Sequence, residues 1–338
     1  LIGCGRISPN HAAACLANAD ELEPVAVCDP VAQRRSILKE HFQDPALRGY
    51  ADYREMLLKE RPQLVAIATE SGKHAQIALD CLEAGCNLIV EKPIALSLED
   101  ADRIIALADQ KGLKVCACHQ NRFNKSVQKI RKAVEDGRFG RMLHGTAHIR
   151  WNRNKAYYDQ AKWRGTWEQD GGALMNQGVH GIDLILWMLG DEVSTLYGRA
   201  ETLARDIPVE DTAAAVLNMK HGGICVIQGC TTAYPGFSST FYIHGEKGTV
   251  VFNDEGILEW KFLDEADAPQ RPDMGERVGG AGDPTKIGNY GHICLLRDIA
   301  QAVRDGRSPA IPPQEAALAV RVICSIYEST RTGRPIVF

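Results

Sequence analysis

Residues 87–93 read Asn-Leu-Ile-Val-Glu-Lys-Pro, an apolar run that ends in two charged residues and a proline. The run from Asn87 to Val90 predicts a strand of a parallel sheet, because strands buried on both faces are almost continuously apolar. Ligands of open α/β sheets bind at the carboxyl ends of such strands. Pro93 fixes its own backbone torsion and biases its neighbour toward extended geometry, which holds Lys92 on a short tether. A strand-end lysine is usually a solvated charge, but this position predicts a lysine that faces a ligand.

Strand-like and helical runs alternate around this stretch as far as residue 122. Such alternation predicts a doubly wound parallel sheet. Farther along the chain, strand-like runs joined by glycine-containing turns predict an antiparallel sheet; they are 195–203, 212–220, 224–232, 240–244 and 249–253. The expected fold is therefore α/β, with a doubly wound parallel domain at 1–122 and an α+β domain with a large, mainly antiparallel open sheet at 123–338. The Gly/Pro-rich stretch 266–286 is predicted to be a mobile loop.

Composition indicates a globular protein with a small-molecule partner. The 338 residues are 45% hydrophobic and 24% charged, and the net charge of -4 offers no basic face for nucleic acid and no polybasic membrane anchor. No apolar run is long enough for a membrane span, and no signal peptide is visible. The eleven cysteines lack a regular spacing, as expected in a reducing cytoplasm. Alternation on a strand would separate Cys116, Cys118 and His119, so no metal site is predicted.

The first turn of the chain matches the dinucleotide-binding pattern G-x-G-x-x-G at two of three positions. Gly3 and Gly5 permit a tight turn and let backbone amides approach a pyrophosphate at the start of a helix. Ser8 stands at the third position and is predicted to cap that helix; a purely structural turn is the alternative. Asp29 ends the next strand, 24 residues beyond Gly5, near the spacing at which a carboxylate binds the adenosine ribose. Because an aspartate repels a 2′-phosphate, NAD is expected rather than NADP.

A second set of polar residues lies on a helix predicted from Gly172 to Leu189. Asn176, His180 and Asp183 follow one another at i, i+4 and i+7, which places them on one face. Most other positions of this helix are apolar, so the polar stripe must line a cavity or be satisfied internally. A lone buried histidine is usually structural, but three polar groups in a chain with a strand-end lysine predict a site.

These motifs resemble the Gfo/Idh/MocA oxidoreductases. The resemblance covers essentially the whole chain and is carried by Gly3-x-Gly5, 91–93, 120–124 and 171–183. It implies an N-terminal Rossmann domain that binds NAD, a catalytic lysine at Lys92 and a catalytic histidine at His180. It also implies a homo-oligomer, a dimer or tetramer, supported by the open face of the antiparallel sheet. Many sugar and polyol members have an aspartate where this chain has Asn176.

Further site residues follow from these positions and from the resemblance. Asp183 could orient the His180 ring. His74 either contacts the cofactor or begins a helix, and Lys162 and Arg164 either bind a uronate or diphosphate or are surface charges. The predicted substrate-binding residues are Asn176, Asp183, Tyr158, Lys162 and Arg164. The predicted cofactor-binding residues are Gly3, Gly5, Arg6, Ile7, Ser8, Asp29, Thr69, Ser71, His74, Glu91, Lys92, Gln120 and Asn121.

Residues 5–11 and 157–177 are similar to one branch of the family, the UDP-N-acetylglucosaminuronate 3-dehydrogenases of bacterial surface-polysaccharide synthesis. This similarity implies oxidation at carbon 3 of a UDP-sugar. Lys92 is then hydrogen-bonded to the hydroxyl, and either His180 takes its proton or the two residues share it. A dehydrogenase of a free sugar or inositol-like polyol is an alternative, as is an NAD-dependent glycosidase that oxidises, eliminates and reduces again. A non-catalytic NAD-binding regulator is a third, and the Lys92 and His180 pair argues against it.

Overall fold

Strands and helices alternate through the first 120 residues of the computed structural model, which describes residues 1–264 and 288–338. The loop predicted at 266–286 lies outside the described residues. Two short 3-10 turns, Ser71–Lys73 and Gln120–Phe123, accompany the regular elements. In chain order these are α1 (Ser8–Leu16), β1 (Ala26–Cys28), α2 (Ala32–His41), β2 (Arg48–Tyr50), α3 (Tyr53–Glu60), β3 (Leu64–Ile67), α4 (His74–Glu83), β4 (Asn87–Val90), α5 (Leu98–Lys111) and β5 (Val115–Ala117).

Longer strands follow residue 120. A π-helical turn, Ala173–Gly178, runs directly into the eighth α-helix. The elements are α6 (Lys125–Glu135), β6 (Met142–Arg150), α7 (Lys155–Tyr158), α8 (Val179–Leu189), β7 (Val193–Glu201), β8 (Thr212–Met219), β9 (Ile224–Cys230), β10 (Thr240–Gly245), β11 (Gly248–Asn253), β12 (Gly256–Phe262), α9 (Tyr290–Asp305), α10 (Pro313–Thr332) and β13 (Ile336–Val337). In the described part of the chain, no helix has the length and apolar character that a membrane span requires.

The predicted parallel sheet is confirmed, with β4 between β3 and β5. β1 and β2 form a second parallel pair, and Ile2 bridges to Cys28 and to Ile67, which connects the two groups. Leu88, Ile89 and Val90 are fully buried, as expected of a strand covered on both faces. The sequence did not predict β2, because Arg-Gly-Tyr is neither apolar nor alternating.

The second sheet has eight strands in the order β12-β11-β10-β6-β9-β8-β7-β13. Its pairs are antiparallel except for β6 with β9, so the prediction of a mainly antiparallel sheet is confirmed. One face lies against the helix that includes the π-helical turn. A Cβ on Gly229 would lie 2.5 Å from the side chain of Leu174, and one on Gly145 would lie 2.9 Å from that of Leu189. Glycines on these strands therefore allow the helix to pack closely on the sheet.

The chain forms two compact units, and the first is not continuous in sequence. α9 belongs to it because Asn18 Nδ2 donates to the carbonyl oxygen of Ile293 (3.0 Å) and His292 Nε2 lies 3.3 Å from Glu91 Oε1. The prediction of a single boundary at residue 122 differs in this respect, since it assigned α9 to the second domain. The first unit is Leu1–Gln120 with Asn289–Ala317, and the second is Asn121–Gly288 with Leu318–Phe338.

Candidate functional site

The turn before α1 needs its two glycines for different reasons. Gly3 has φ +92°, and a Cβ there would lie 2.5 Å from the carbonyl oxygen of Ala68, closer than real Cβ atoms come. The packing of the chain itself therefore requires Gly3. A Cβ on Gly5 would meet no described atom of the protein within 4 Å. A glycine that internal packing does not require leaves room for a ligand to approach the backbone, as a pyrophosphate at a helix start does.

Asp29 connects the end of β1 to this glycine turn. Its Oδ2 accepts a hydrogen bond from the backbone amide of Cys4 (3.0 Å), and its Oδ1 accepts one from the amide of Val31 (2.8 Å). The carboxylate is buried. Its position directly after β1 is the one from which the adenosine ribose is bound in dinucleotide-binding folds.

Ser8 does not cap α1 as predicted. The N-cap residue is Ile7, which makes no side-chain hydrogen bond, and Ser8 is the first helical residue. The Ser8 hydroxyl instead donates to the carbonyl oxygen of Gly5 (2.7 Å), so it closes the turn rather than accepting from the helix. Arg6 is exposed and Ile7 is half-buried.

The remaining predicted cofactor residues lie on the loops that follow the strands. Thr69 and Asn121 are half-buried, and Ser71 and Gln120 are buried. Gln120 Oε1 has no hydrogen-bond partner among the described residues, so it is an acceptor that a bound ligand can satisfy. This atom, the open space at Gly5 and the position of Asp29 together fit a dinucleotide such as NAD.

His74 joins two loops of the first unit. It begins α4, one of the two roles the sequence allowed, and is buried. Its Nδ1 lies 2.8 Å from the carbonyl oxygen of Pro93, and its Nε2 lies 3.1 Å from that of Thr69. Burial lowers the pKa of His74, although the contacts to the two carbonyl oxygens oppose this. His74 therefore holds the loop that contains Lys92, whose peptide bond to Pro93 is cis.

Glu91 is held by two buried histidines. His11 Nε2 lies 2.9 Å and His292 Nε2 lies 3.3 Å from Glu91 Oε1, while Oε2 lies 3.3 Å from the backbone nitrogen of Lys92. Burial alone would raise the pKa of Glu91, but the hydrogen bonds from the histidines outweigh it and hold this pKa well below its usual range. Burial lowers the pKa of His11. The arrangement is therefore an ionised carboxylate that neutral His11 stabilises through its Nε2–H, directly beside Lys92.

The same cluster includes Cys118. The ligand-type atoms of His11, Glu91 and Cys118 lie within 4.8 Å of one another. Burial and the charge of Glu91 raise the pKa of the Cys118 thiol well above its usual range, and the thiol is hydrogen-bonded to Glu91. The 2.9 Å separation of His11 and Glu91 is that of a hydrogen bond. We therefore interpret the cluster as a hydrogen-bonded network.

The helix that was predicted from Gly172 to Leu189 begins with the π-helical turn and is α-helical only from Val179. Its glycine, Gly172, precedes the turn. From 172 to 189, the residues with partly exposed surface are Asn176, His180 and Trp187, and the others are buried. The structure thus gives the polar stripe of the helix a partly exposed edge in the second unit.

Asp183 is the buried member of that stripe. Its Oδ2 accepts from Arg122 Nε (2.8 Å) and its Oδ1 from Arg122 Nη2 (2.6 Å). Both side chains are buried, and the guanidinium of Arg122 lies 4.8 Å from the centre of the Trp187 ring. A two-point ion pair of this kind fixes the position of a helix. The structure shows Asp183 anchoring α8 to the segment after residue 120, and its roles toward His180 and the substrate stay predictions.

Asn176 lies beside a carboxylate that the sequence did not single out. Its Nδ2 donates to Asp170 Oδ1, and Asp170 Oδ2 accepts from the amide of Gly165 (2.7 Å). Asp170 is buried. Where the sequence resemblance implies an aspartate in many relatives, this chain therefore has an amide hydrogen-bonded to a buried carboxyl group. The bond also fixes the direction of the Asn176 side-chain carbonyl.

The predicted residues of the segment after β6 have different surroundings. Tyr158 donates to Thr231 Oγ1 (3.1 Å), and burial raises its pKa to about 12. Arg164 donates to the hydroxyl of Tyr157 (2.5 Å) and stacks on its ring at 4.3 Å from the centre. Lys162 is exposed. Tyr158 and Arg164 thus belong to a partly buried polar group. Lys162 is exposed, as expected if it is a surface charge.

Sequence reasoning missed several residues of these two groups. His292 and Glu91 are 201 positions apart, and Asp170 has no periodic pattern around it, so no local signal identifies either contact. Of these residues, His11 was the easiest to infer from the sequence, because it lies one turn into the helix that follows the glycines. Arg122 lies within the motif 120–124, but the sequence indicated no role for it.

Two family models match the chain. A model of an oxidoreductase family with an NAD-binding Rossmann fold, GFO_IDH_MocA, matches residues 1–119. A model of the GFO/IDH/MocA C-terminal domain matches residues 127–251. The two matches correspond to the parallel sheet and to most of the antiparallel sheet.

Solved structures and curated proteins give similar results. The WlbA dehydrogenase of Bordetella pertussis, solved in complex with NADH and UDP-GlcNAcA, is 32% identical with a TM-score of 0.87 and covers 100% of this chain and 97% of its own. The WlbA dehydrogenase of Chromobacterium violaceum, solved with the same ligands, is 31% identical with a TM-score of 0.87 and covers 100% and 94%. Myo-inositol 2-dehydrogenase of Thermotoga maritima is 26% identical over 274 residues, 75% of this chain and 78% of the relative.

Proposed function

The chain belongs to the GFO/IDH/MocA oxidoreductase family, and from that starting point we propose that it oxidises carbon 3 of a UDP-N-acetylhexosaminuronate. It is an NAD-dependent oxidoreductase, as its family model and its relatives crystallised with NAD or NADH indicate. The observation that carries the substrate proposal is the 32% identity, over the whole chain, to a dehydrogenase solved with NADH and UDP-GlcNAcA. The product would serve bacterial surface-polysaccharide synthesis.

The proposed chemistry uses one proton acceptor and one hydrogen-bond donor of this chain. The amides of the glycine turn bind the pyrophosphate, and Asp29 binds the adenosine ribose. When bound, NAD supplies the acceptor for the hydride that leaves the sugar carbon. Lys92 donates a hydrogen bond to the hydroxyl oxygen and stabilises the charge that develops there, and His180 takes the hydroxyl proton. A positioned general base contributes roughly 10²–10⁴-fold to the rate.

The substrate-binding roles follow from the second unit. Asn176 has its amide nitrogen directed to Asp170, so we propose that its carbonyl oxygen accepts from a sugar hydroxyl. Arg164 is fixed by the ring of Tyr157, and a guanidinium held in this way suits a carboxylate or diphosphate. Lys162, which is exposed, would bind the same anion from the solvent side.

The test is a product analysis. Purified protein is incubated with NAD and UDP-N-acetylglucosaminuronate, with and without 2-oxoglutarate, and the sugar is analysed by mass spectrometry while NADH absorbance is followed. We expect the sugar to lose two hydrogens.

Lys92→Ala and His180→Ala should each lower kcat by about 10²-fold or more, because each removes a group that acts on the reacting hydroxyl. Lys59→Ala is the matched control, since Lys59 is exposed and pairs with Glu55 on α3. If both active-site variants stay within a few-fold of the parent, the assignment is wrong.

A polyol dehydrogenase is the second candidate, favoured by the match to a myo-inositol 2-dehydrogenase. The same assay with inositols in place of the UDP-sugar separates the two. NAD-dependent glycoside cleavage would appear instead as a split glycoside without net NADH.

We also propose that the protein forms a homo-oligomer through the sheet of the second unit. Tyr197 on β7 lies opposite Val216 on β8, which lies opposite Val226 on β9. Tyr197 is 51% exposed and Val216 is 47% exposed. Neighbouring apolar side chains with this much exposure are typical of a surface that another subunit covers.

A further inference from the structure

Glu210 lies at the start of the helix that carries Asn176 and His180, and the sequence gave no reason to single it out. It is 3% exposed and immediately precedes Asp211 and β8. Its main-chain oxygen accepts from the amide of Ala173 (2.9 Å). Its side-chain Oε1 accepts from the amide of Leu174 (2.9 Å). One residue thus satisfies two successive amides at the start of the π-helical turn.

Tyr327, on α10, extends this arrangement by one residue. Its hydroxyl donates to Glu210 Oε1 (2.8 Å), and its oxygen is hydrogen-bonded to the backbone of Met175. The first amides of a helix have no partner within the helix, so a buried helix start needs acceptors from elsewhere. Glu210 and Tyr327 supply them for residues 173–175, and Asn176 comes next in the chain.

The other carboxyl oxygen of Glu210 has a different environment. Oε2 is buried and has no hydrogen-bond partner in the part of the chain that the structure describes. It is packed against Gly172, where a Cβ would lie 1.6 Å from it. The side chain therefore has one available position, and any residue larger than glycine at 172 would displace it.

Burial raises the pKa of Glu210 to about 7, although the Leu174 amide and Tyr327 oppose the rise. The titratable groups that act on it are Tyr327 from α10 and Asp211 from its own segment. The π-helical turn contributes backbone amides. A carboxyl group in this range changes its charge where enzymes usually work, and hydrogen bonds to an ionised acceptor are stronger than those to a neutral one.

We propose that Glu210 is a positioning residue for the active site, whose ionised carboxylate holds the π-helical turn in the conformation that places Asn176 and His180. Protonation removes the negative charge from the helix start, where it is favoured, and weakens the bonds from Leu174 and Tyr327. The turn then loses its fixed geometry. This inference rests on the proposed function for its kinetic consequence, but not for its structural one.

The kinetic test is the pH profile of kcat/KM. If His180 and Glu210 must both be deprotonated, log kcat/KM of the parent rises with a slope approaching two below neutrality. Glu210→Gln should follow a slope of one and should be about 10-fold less active at pH 8, since small displacements of catalytic groups cost this much or more. Tyr327→Phe removes one donor to the carboxylate, which raises the pKa of Glu210. The rising part of the pH profile should therefore move to higher pH. Glu259→Gln, at an exposed position of β12, is the control. Unchanged profiles in both variants would overturn the inference.

A second measurement needs no substrate. The ring nitrogens of His180, labelled with ¹⁵N and assigned with His180→Asn, are followed by NMR from pH 5 to 9. In the parent, the ¹⁵N chemical shifts of His180 should report its own titration and a second change near pH 7. In Glu210→Gln the second change should be absent. This result without any sugar oxidation would refute the proposed function and support the positioning role. Sugar oxidation with identical His180 shifts in parent and variant would do the reverse.

Discussion

At the scale of single residues, one motif contains two different requirements. Gly3 is needed by the protein, because its φ and its distance from Ala68 exclude a side chain. Gly5 has no such neighbour among the described atoms. Both glycines belong to the same dinucleotide-binding pattern, and the sequence alone cannot distinguish their roles.

Alanine substitutions should separate the two roles. Gly3→Ala is expected to lower the free energy of unfolding by about 2 kcal/mol or more, because it combines a left-handed φ with a backbone clash. Gly5→Ala should stay within about 0.5 kcal/mol of the parent but raise the Kd for NAD about 10-fold, which corresponds to about 1.4 kcal/mol of binding free energy. Urea unfolding and calorimetric titration with NAD measure these quantities. Equal losses of stability in the two variants would contradict the distinction.

Some residues of the candidate site have a local sequence signal and others do not. Lys92 and His180 could be proposed as site residues because each lies in a local pattern, a strand end and a helical stripe. The partners that hold their surroundings could not be located. Glu91 contacts His292 across 201 positions, and Arg122 contacts Asp183 across 61. Such contacts are consequences of the fold, and a single sequence has no periodicity that reports them.

At the scale of elements, the helix with His180 was predicted but its first turn was not. An α-helix and a helix with one π-helical turn differ by a single residue of register, which a stretch of mostly apolar residues does not reveal. What distinguishes the turn is its set of outside partners, Glu210 and Tyr327. Elements with strong amphipathic patterns were therefore predictable, while irregularities fixed by tertiary contacts were not.

The element that Glu210 holds should trade stability against activity as pH changes. The pKa of Glu210 is raised in the folded state to about 7, so its protonated form is favoured by folding. Its contribution to stability is present below the unfolded pKa of about 4.3 and is lost as pH rises through about 7. We expect the free energy of unfolding of the parent, relative to Glu210→Gln, to fall by up to about 3 kcal/mol between pH 4.5 and 8.

Urea titrations of both proteins across this pH range provide the check. A difference between the two proteins that does not change with pH would show that Glu210 has the same charge throughout. If the difference instead falls as the pH rises, the ionised form of Glu210 is the less stable and the more active one. This is expected of a buried group kept for function rather than for stability.

At the scale of the whole molecule, the proposed subunit interface is the sheet of the second unit. Val216 lies in the apolar row between Tyr197 and Val226. Val216→Arg would place a charge at the centre of that surface, and burying it without a partner would cost several kcal/mol. We expect the parent to be a dimer or tetramer and Val216→Arg to be a monomer by light scattering.

The control is Leu58→Arg, because Leu58 is an exposed apolar residue on α3 in the first unit. This variant should assemble like the parent. An oligomer that persists in Val216→Arg would assign the subunit contact to another surface.

The late position of α9 in the chain has a consequence for synthesis on the ribosome. The first unit is incomplete until residues 289–317 have been made. Residue 292 is added about 170 residues after residue 120, which corresponds to roughly 10–30 s of translation at usual rates. During that time the nascent chain has Glu91 without one of its two histidines. The nucleotide-binding half of the protein, although made first, is therefore among the last parts to reach its final structure.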